Sequence, residues 1–240
     1  MSAVDPRASG RSTRRVAVVL GLDLAGAPRR DTGCCLLRGP HRVSARIAHS
    51  DDEIRSVVRA GAPDLIVVDA PLSLPRGRRT LEDRAGPHLR ACDRELLRRG
   101  IRFFPLTLGP MRMLTERGMR LAAEWRAEGY AVVEGYPGAS QDLLGIPRKG
   151  AGVGPLARGL RRLGLAGDLG RRSLTHDELD AVTIAWVGRE HLAGRSLVIG
   201  DPEEGLMVLP QPTRPATRSA LRAPKVSPSK PRDAGTRPPR

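Results

Sequence analysis

The chain has few aromatic residues, few cysteines and no long apolar segment. Only six of its 240 residues are Phe, Tyr or Trp, which argues against an aromatic platform on which single-stranded nucleic acid stacks. Its three cysteines, Cys34, Cys35 and Cys92, lack the spacing of zinc ligands. Because no apolar run is long enough to cross a membrane, we expect a soluble, cytoplasmic protein.

Acidic residues are also in the minority. The sequence has 26 Asp and Glu against 41 Lys and Arg, which gives a formal net charge of +15. Such an excess favours a polyanionic partner, and nucleic acid (DNA or RNA) is the first candidate. Only three of the basic residues are Lys, so a general bias toward Arg is an alternative explanation of the charge.

Both ends of the chain differ in composition from its middle. Residues 211–240 contain seven Pro, eight Lys or Arg and a single acidic residue, which predicts a disordered basic tail. Residues 1–14 predict a disordered N-terminal extension, because they are polar and lack the apolar core of a secretory signal. Residues 15–210 are long enough for one compact domain with its own core.

The apolar pattern of this domain predicts an α/β fold. Three strands in an antiparallel meander come first, at residues 15–23, 32–38 and 42–48. A helix capped by Ser50 and a buried strand at residues 64–69 follow. After a helical insert at about residues 72–129 come a strand, further helices and a terminal hairpin. This order is the layout of the ribonuclease H-like fold, a mixed sheet flanked by helices.

Isolated carboxylates lie where these predicted elements begin or end. Asp23 ends the first strand, Asp69 ends the fourth, and Glu134 ends the strand after the insert, whereas Asp177 and Asp180 lie three residues apart on a helix. A buried carboxylate is costly unless it is paired or bound to a cation. Metal-dependent phosphoryl chemistry needs several converging carboxylates. The pattern therefore predicts a shared site for Mg²⁺ or Mn²⁺.

Each strand-end carboxylate also has a simpler explanation. Asp23 and Asp69 could each begin a turn after a strand, and Glu134 could equally be a metal ligand or the partner of an Arg. The joint occurrence of Asp23, Asp69 and Asp180, on elements that neighbour one another in such a sheet, favours the shared site.

The helix that carries the last two carboxylates begins with a capping motif. Either Thr175 or His176 could be its N-cap, and Asp177 and Glu178 could simply favour the positive end of the helix. Asp180 fits that explanation poorly, because it lies further into the helix among apolar neighbours.

Five ordered motifs resemble a known family, called domain of unknown function 429. The motifs are GLDLAG at residues 21–26, DAPLSLP at 69–75, EGYPGA at 134–139, LGIPRK at 144–149 and HDELDA at 176–181. The resemblance spans about residues 16–210. It implies a ribonuclease H-like fold and a predicted nuclease activity.

The acidic residues are also similar to the catalytic set of RuvC-type Holliday-junction resolvases. The resemblance implies that Asp23, Asp69, Asp177 and Asp180 are catalytic metal ligands. Those resolvases carry Glu on the fourth strand, where this chain has Asp69, and the shorter side chain would bring the metal closer to the strand or insert a water. The helical insert is an addition to the minimal fold.

We therefore predict a hydrolase, namely a nuclease that uses Mg²⁺ or Mn²⁺ to hydrolyse phosphodiester bonds. Lys149 and Arg148 could bind the phosphate and His176 could relay a proton, although solvated loop charges and a capping or core histidine explain these residues equally simply. One alternative is a non-catalytic nucleic-acid-binding or scaffolding module on the same fold. Another is an actin-like or sugar-kinase-like ATPase, whose Asp-x-Gly-Thr/Ser phosphate motif is incomplete at residues 23–26.

Overall fold

An eight-stranded mixed sheet lies at the centre of the molecule, a computed structural model that describes residues 16–83 and 85–212. The predicted N-terminal extension and nearly all of the predicted basic tail lie outside these residues. The strands are β1 (Val18–Asp23), β2 (Thr32–Arg38), β3 (Arg42–Ala48), β4 (Leu65–Val68), β5 (Val132–Gly135), β6 (Ala166–Gly167), β7 (Ser196–Asp201) and β8 (Gly205–Pro210). Their spatial order is β6-β3-β2-β1-β4-β5-β8-β7.

Helices cover both faces of this sheet. They are α1 (Asp51–Gly61), α2 (Ala91–Arg98), α3 (Gly109–Ala127), α4 (Pro137–Leu144), α5 (Val153–Arg162), α6 (Asp168–Arg171) and α7 (His176–Leu192), with a single 3₁₀ turn at Lys149–Ala151. Within the described ranges, no helix combines the length and the apolar character needed to cross a membrane.

The pairing of the strands defines the fold. β1, β2 and β3 form the predicted antiparallel meander, and β1, β4, β5 and β8 are parallel neighbours. The molecule therefore has the ribonuclease H-like fold that the sequence predicts. β2 and β3 have the predicted bounds, and β7 and β8 form the predicted terminal hairpin. β6 and α6 were not predicted, because segments of two and four residues are too short to show a period.

Alternation along the strands separates two apolar cores. In β1, Val19 packs with α5 and α7 on one face of the sheet, whereas Leu20 and Leu22 pack with α1 and α3 on the other. β4 repeats this division, since Val67 lies in the first core and Val68 in the second. The same alternation determines to which face of the sheet a side chain at the end of a strand points.

The first part of the insert is a loop wrapped around one buried arginine. The guanidinium of Arg78 donates hydrogen bonds to the carbonyls of Pro87, Asp83 and Gly86 at 2.7, 2.6 and 2.8 Å. These carbonyls face the guanidinium instead of forming the hydrogen bonds of a helix. The insert, which the sequence predicts to be helical from about residue 72, therefore has its first helix only at Ala91.

We expect Arg78→Met to lower the free energy of unfolding by roughly 2–4 kcal/mol, because it leaves several buried carbonyls without a donor. Chemical denaturation measures the change. The neighbouring Arg79 is exposed, so Arg79→Met is the matched control and should stay within about 0.5 kcal/mol of the wild type. Equal effects of the two substitutions would contradict this account of the loop.

Candidate active site

Two of the predicted site residues follow neighbouring parallel strands and face the same helix. Asp23 lies at even spacing from Val19, and Asp69 at even spacing from Val67, so both point to the face that α7 covers. The amide of Asp69 donates a hydrogen bond of 2.8 Å to the carbonyl of Leu22, which extends the β1–β4 ladder by one step. The two carboxylates therefore lie side by side at the carboxyl end of the sheet.

The first turns of helix α7 place two more carboxylates, Asp177 and Asp180, close to Asp23 and Asp69. Asp180 is buried and Asp177 is half-buried in the first turns of the helix. Both raise the pKa of Asp23 by charge repulsion, and Asp180 does the same for Asp69. The structure thus brings Asp23, Asp69, Asp177 and Asp180 into one electrostatic cluster.

The close approach of α7 depends on two glycines of the sheet. Gly33 lies opposite Asp23 across the β1–β2 ladder, and a Cβ at Gly33 would clash with the backbone carbonyl of Asp177. A Cβ at Gly21 would clash in the same way with the carbonyl of Ala181. The first turns of α7 therefore rest directly on the backbone of β1 and β2.

Asp23 and Asp69 lie close enough together for the charge of Asp23 to raise the pKa of Asp69. Burial, followed by repulsion from Asp180, raises the pKa of Asp23 to about 7. Burial and the charges of Asp23 and Asp180 raise the pKa of Asp69 well above its usual range. The site thus holds more negative charge than its surroundings neutralise.

Two further side chains bind Asp180. The amide of Gln141 in α4 donates a 2.6 Å hydrogen bond to its Oδ1, and the ammonium of Lys149 lies 3.2 Å from its Oδ2. Burial opposes the charged form of Lys149, but Asp180 and Asp23 outweigh that effect and raise its pKa. Gln141 was missed by the sequence analysis. The one signal for it was a long polar residue between the apolar positions Ala139 and Leu144 of a short helix.

Glu134 lies on the opposite face of the sheet. It pairs with Val68, and both side chains point away from α7. Arg90 donates hydrogen bonds of 2.6 and 2.8 Å to its two carboxylate oxygens, and the amide of Leu72 donates a third of 3.0 Å. Of the two roles that the sequence left open, the structure gives Glu134 the ion pair with an Arg. It is not among the carboxylates that face α7.

The remaining predicted residues lie around the cluster. Thr175 caps α7, since its hydroxyl accepts a 3.2 Å hydrogen bond from the Glu178 amide and the Glu178 carboxylate accepts one of 2.9 Å from Thr175. His176 is the first helical residue, and its buried Nδ1 has no hydrogen-bond partner among the described residues. Arg148 is bound to Asp142 through a 2.8 Å hydrogen bond from its Nε.

The cluster fits a divalent cation by its chemistry rather than by a preformed coordination geometry. Within the described part of the chain, no three His, Cys, Asp or Glu side chains are positioned to hold a metal ion as they stand. The donor set nevertheless consists of buried or half-buried, mutually repelling carboxylates, which are the ligands that Mg²⁺ and Mn²⁺ prefer.

A cavity of about 530 Å³ opens beside the carboxylates. Asp69, Asp180 and Lys149 line it, together with side chains of the insert and of the segment around Tyr136. A molecule in this cavity would therefore reach the acidic cluster directly.

Fold and cluster together define the chain as a ribonuclease H-like domain with a buried acidic site. The chain belongs to the family described as "Protein of unknown function (DUF429)", whose sequence model matches residues 21–205. This match confirms the family resemblance.

Among solved structures, RuvC of Thermus thermophilus is similar, with 17% sequence identity and a TM-score of 0.37 over 74% of this chain and 96% of that chain. A score of this size carries no functional argument. No curated protein matches the chain.

We expect the acidic cluster to make the metal-free protein less stable as the pH rises from about 4 to about 7. An unfolded Asp titrates near 3.8 and Asp23 in the folded protein near 7, so over this range the unfolded chain loses a proton that the folded chain retains. The cost is at most about 1.4 kcal/mol per pH unit. This destabilisation is absent below the pKa of Asp23 in the unfolded chain and constant above its pKa in the folded protein.

The measurement is denaturant unfolding at a series of pH values, compared with Asp23→Asn. The difference in stability between the two proteins is decisive. Arg partners lower the pKa values of Asp51, Glu124 and Glu190, so these groups make both proteins more stable as the pH rises. Their contribution cancels in the difference. Identical pH profiles for wild type and variant would contradict the prediction.

A second prediction concerns the contact between α7 and the sheet. Gly33→Ala should lower the free energy of unfolding by about 1–3 kcal/mol, because the added methyl must displace the first turn of α7. Gly170→Ala is the control, since a Cβ there meets nothing within 4 Å, and it should be neutral or slightly stabilising. Thermal and denaturant unfolding measure both. A neutral Gly33→Ala would mean that α7 does not rest on the strand.

Proposed function

We propose that this protein is a divalent-metal-dependent nuclease that hydrolyses phosphodiester bonds at the Asp23, Asp69 and Asp180 cluster. The observation that carries the proposal is the convergence of Asp23 and Asp69, at the ends of two neighbouring strands, with the buried Asp180 of α7, which is close enough to repel both. Carboxyl groups with strongly raised pKa values beside a cavity are concentrated at functional sites.

The charge balance of the cluster supports a cation as the missing component. Asp180 is buried beside the half-buried Asp23 and Asp69, and the ammonium of Lys149 contacts Asp180. Removing charges from water without full compensation costs several kcal/mol per ion. In the absence of a metal, the raised pKa values of Asp23 and Asp69 reduce this cost by favouring their neutral forms. A divalent ion would offset the negative charge and reduce the repulsion.

In this proposal the carboxylates of Asp23, Asp69 and Asp180 hold Mg²⁺ or Mn²⁺, and Asp177, at the start of α7, adds a fourth oxygen donor. The bound ion supplies Lewis acidity and activates a water. Gln141 orients Asp180 through its hydrogen bond. Glu134 is left out because Arg90 occupies both of its oxygens.

The substrate side of the site carries positive charge. Lys149 and Arg148 both line the cavity, where their charges would face a phosphate, and DNA or RNA is the proposed partner. The net charge of +15 adds a long-range attraction that salt would weaken. A proton relay through His176 and a cytoplasmic location stay predictions from the sequence.

One observation favours a second candidate, a non-catalytic binding module on the same fold. The ammonium of Lys149 already contacts Asp180, so it could be a permanent counter-ion that leaves no place for a metal. The two candidates differ in their response to metal. A nuclease should bind Mn²⁺ at this cluster, and a module neutralised by Lys149 should not.

We expect purified protein with Mn²⁺ to cleave at least one of a set of labelled single-stranded, duplex, branched and RNA–DNA hybrid substrates. Asp23→Asn and Asp180→Asn should each reduce the rate by more than about 100-fold, because loss of a metal ligand costs at least as much as loss of its supporting groups. Asp52→Asn is the matched control, since Asp52 is an exposed carboxylate on α1. Equal rates in all variants would contradict the proposal.

Calorimetric titration with Mn²⁺ and the melting temperature separate binding from turnover. The wild type should bind Mn²⁺ and melt at a higher temperature in its presence, whereas Asp23→Asn should do neither. A wild type that ignores Mn²⁺ in both measurements would favour the non-catalytic module.

A further inference from the structure

The lining of the cavity beside the acidic cluster combines two kinds of side chain. Its charged groups include the carboxylates of Asp69 and Asp180 and the ammonium of Lys149. Its apolar wall comes mainly from the insert, with Phe103, Phe104, Leu106, Met111 and Leu114, together with Tyr136. The ligand should therefore have one charged part and one flat or apolar part.

The aromatic residues of the chain are concentrated in this wall. Both Phe residues and one of the two Tyr residues line the cavity, which is half of the six aromatics in the sequence. Phe104 is 71% exposed although the rest of the surface is rich in Arg. Exposed apolar side chains beside a cavity mark a binding surface.

Hydrogen bonds fix parts of the lining before a ligand binds. The hydroxyl of Tyr136 donates a 2.8 Å hydrogen bond to the carbonyl of Arg102, next to Phe103. Arg148 is held by its hydrogen bond to Asp142, and the absence of a side chain at Gly138 leaves room for the guanidinium. Because Tyr136 and Arg148 are already fixed, they lose little entropy when a ligand binds.

The volume limits the size of the ligand. A cavity of about 530 Å³ lies within the range of roughly 300–1,000 Å³ that encloses a small organic molecule. One nucleotide fits such a space, whereas a duplex does not enter it. A single base can enter only when it is free, in a single strand, or flipped out of a helix.

We propose that this cavity binds one unstacked nucleotide, with its base against Phe104, Phe103 and Tyr136 and its phosphate at Lys149 beside the carboxylates. The proposal rests on the proposed nuclease function for the identity of the phosphate end. Six aromatics are too few for an extended stacking platform, but three rings in one cavity are enough for one base. The nucleotide comes either from a single-stranded nucleic acid or from the free pool.

The test is a fluorescence titration with 2-aminopurine, whose emission reports stacking, without divalent metal so that no cleavage occurs. The probes are a 2-aminopurine trinucleotide, the 2-aminopurine mononucleotide and a duplex that contains the same base. We expect the trinucleotide to bind, and Phe104→Ala to weaken its binding about ten-fold. Phe104→Trp should restore it, because the ring is replaced by a larger one.

Leu97→Ala is the matched control, because Leu97 is 50% exposed on α2 but does not line the cavity, and it should bind as the wild type does. Phe104 is exposed, so its variants should keep the wild-type melting temperature. Unchanged binding by Phe104→Ala, or equally tight binding of the duplex, would overturn the proposal. Equal affinity for mononucleotide and trinucleotide would support the cavity and identify the free nucleotide as the source.

The two proposals can fail separately. If binding depends on Phe104 but the protein shows no Mn²⁺-dependent cleavage, the nucleotide cavity is supported and the nuclease function is contradicted. If cleavage depends on Asp23 but 2-aminopurine binding does not depend on Phe104, the nuclease function is supported and the nucleotide cavity is contradicted.

Discussion

The site depends on the contact between helix α7 and the bare backbone of two strands. Gly21 and Gly33 on the sheet, and Gly188 further along the helix, remove the side chains that would otherwise separate the two layers. The distance between Asp180 and Asp23 is therefore set by main-chain contact, which side-chain rotation cannot relax. A packed core fixes positions in this way because it is nearly incompressible, so the carboxylates are held together despite their repulsion.

This arrangement lowers stability locally at the acidic cluster. Neighbouring carboxyl groups would separate in a flexible loop, but the ends of β1 and β4 hold Asp23 and Asp69 together, and their pKa values are raised as a result. Of the three carboxylates, Gln141 and Lys149 contact only Asp180, and no cation among the described residues forms an ion pair with Asp23 or Asp69. The unpaired charge is thus concentrated where β1 and β4 end, which is the position expected for a metal.

Much of this could be predicted from the sequence, because it follows from strand order and alternation. The meander, the parallel β1–β4 pair and the placement of Asp23 and Asp69 at one edge are all local patterns read through the rules of sheet topology. The face of Glu134 was not predictable. β5 has only four residues, mostly apolar, so it shows no alternation, and its register with β4 is a tertiary property. The contacts of Gln141 and Lys149 with Asp180 join α4 and the following turn to α7, and no local pattern encodes them.

Because side chains alternate along β5, Glu134 points away from the carboxylate cluster and has a different role. On the far face of β5 it binds Arg90, which also binds Asp93 at the start of α2, and so ties the insert to the sheet. In the β7–β8 turn, Glu204 accepts hydrogen bonds from the amides of Arg76 and Ala91 and provides a second attachment. Buried ion pairs of this kind contribute more to a defined geometry than to net stability. The insert is therefore fixed as the wall of a cavity, and it is this wall, rather than the sheet, that would select what reaches the acidic cluster.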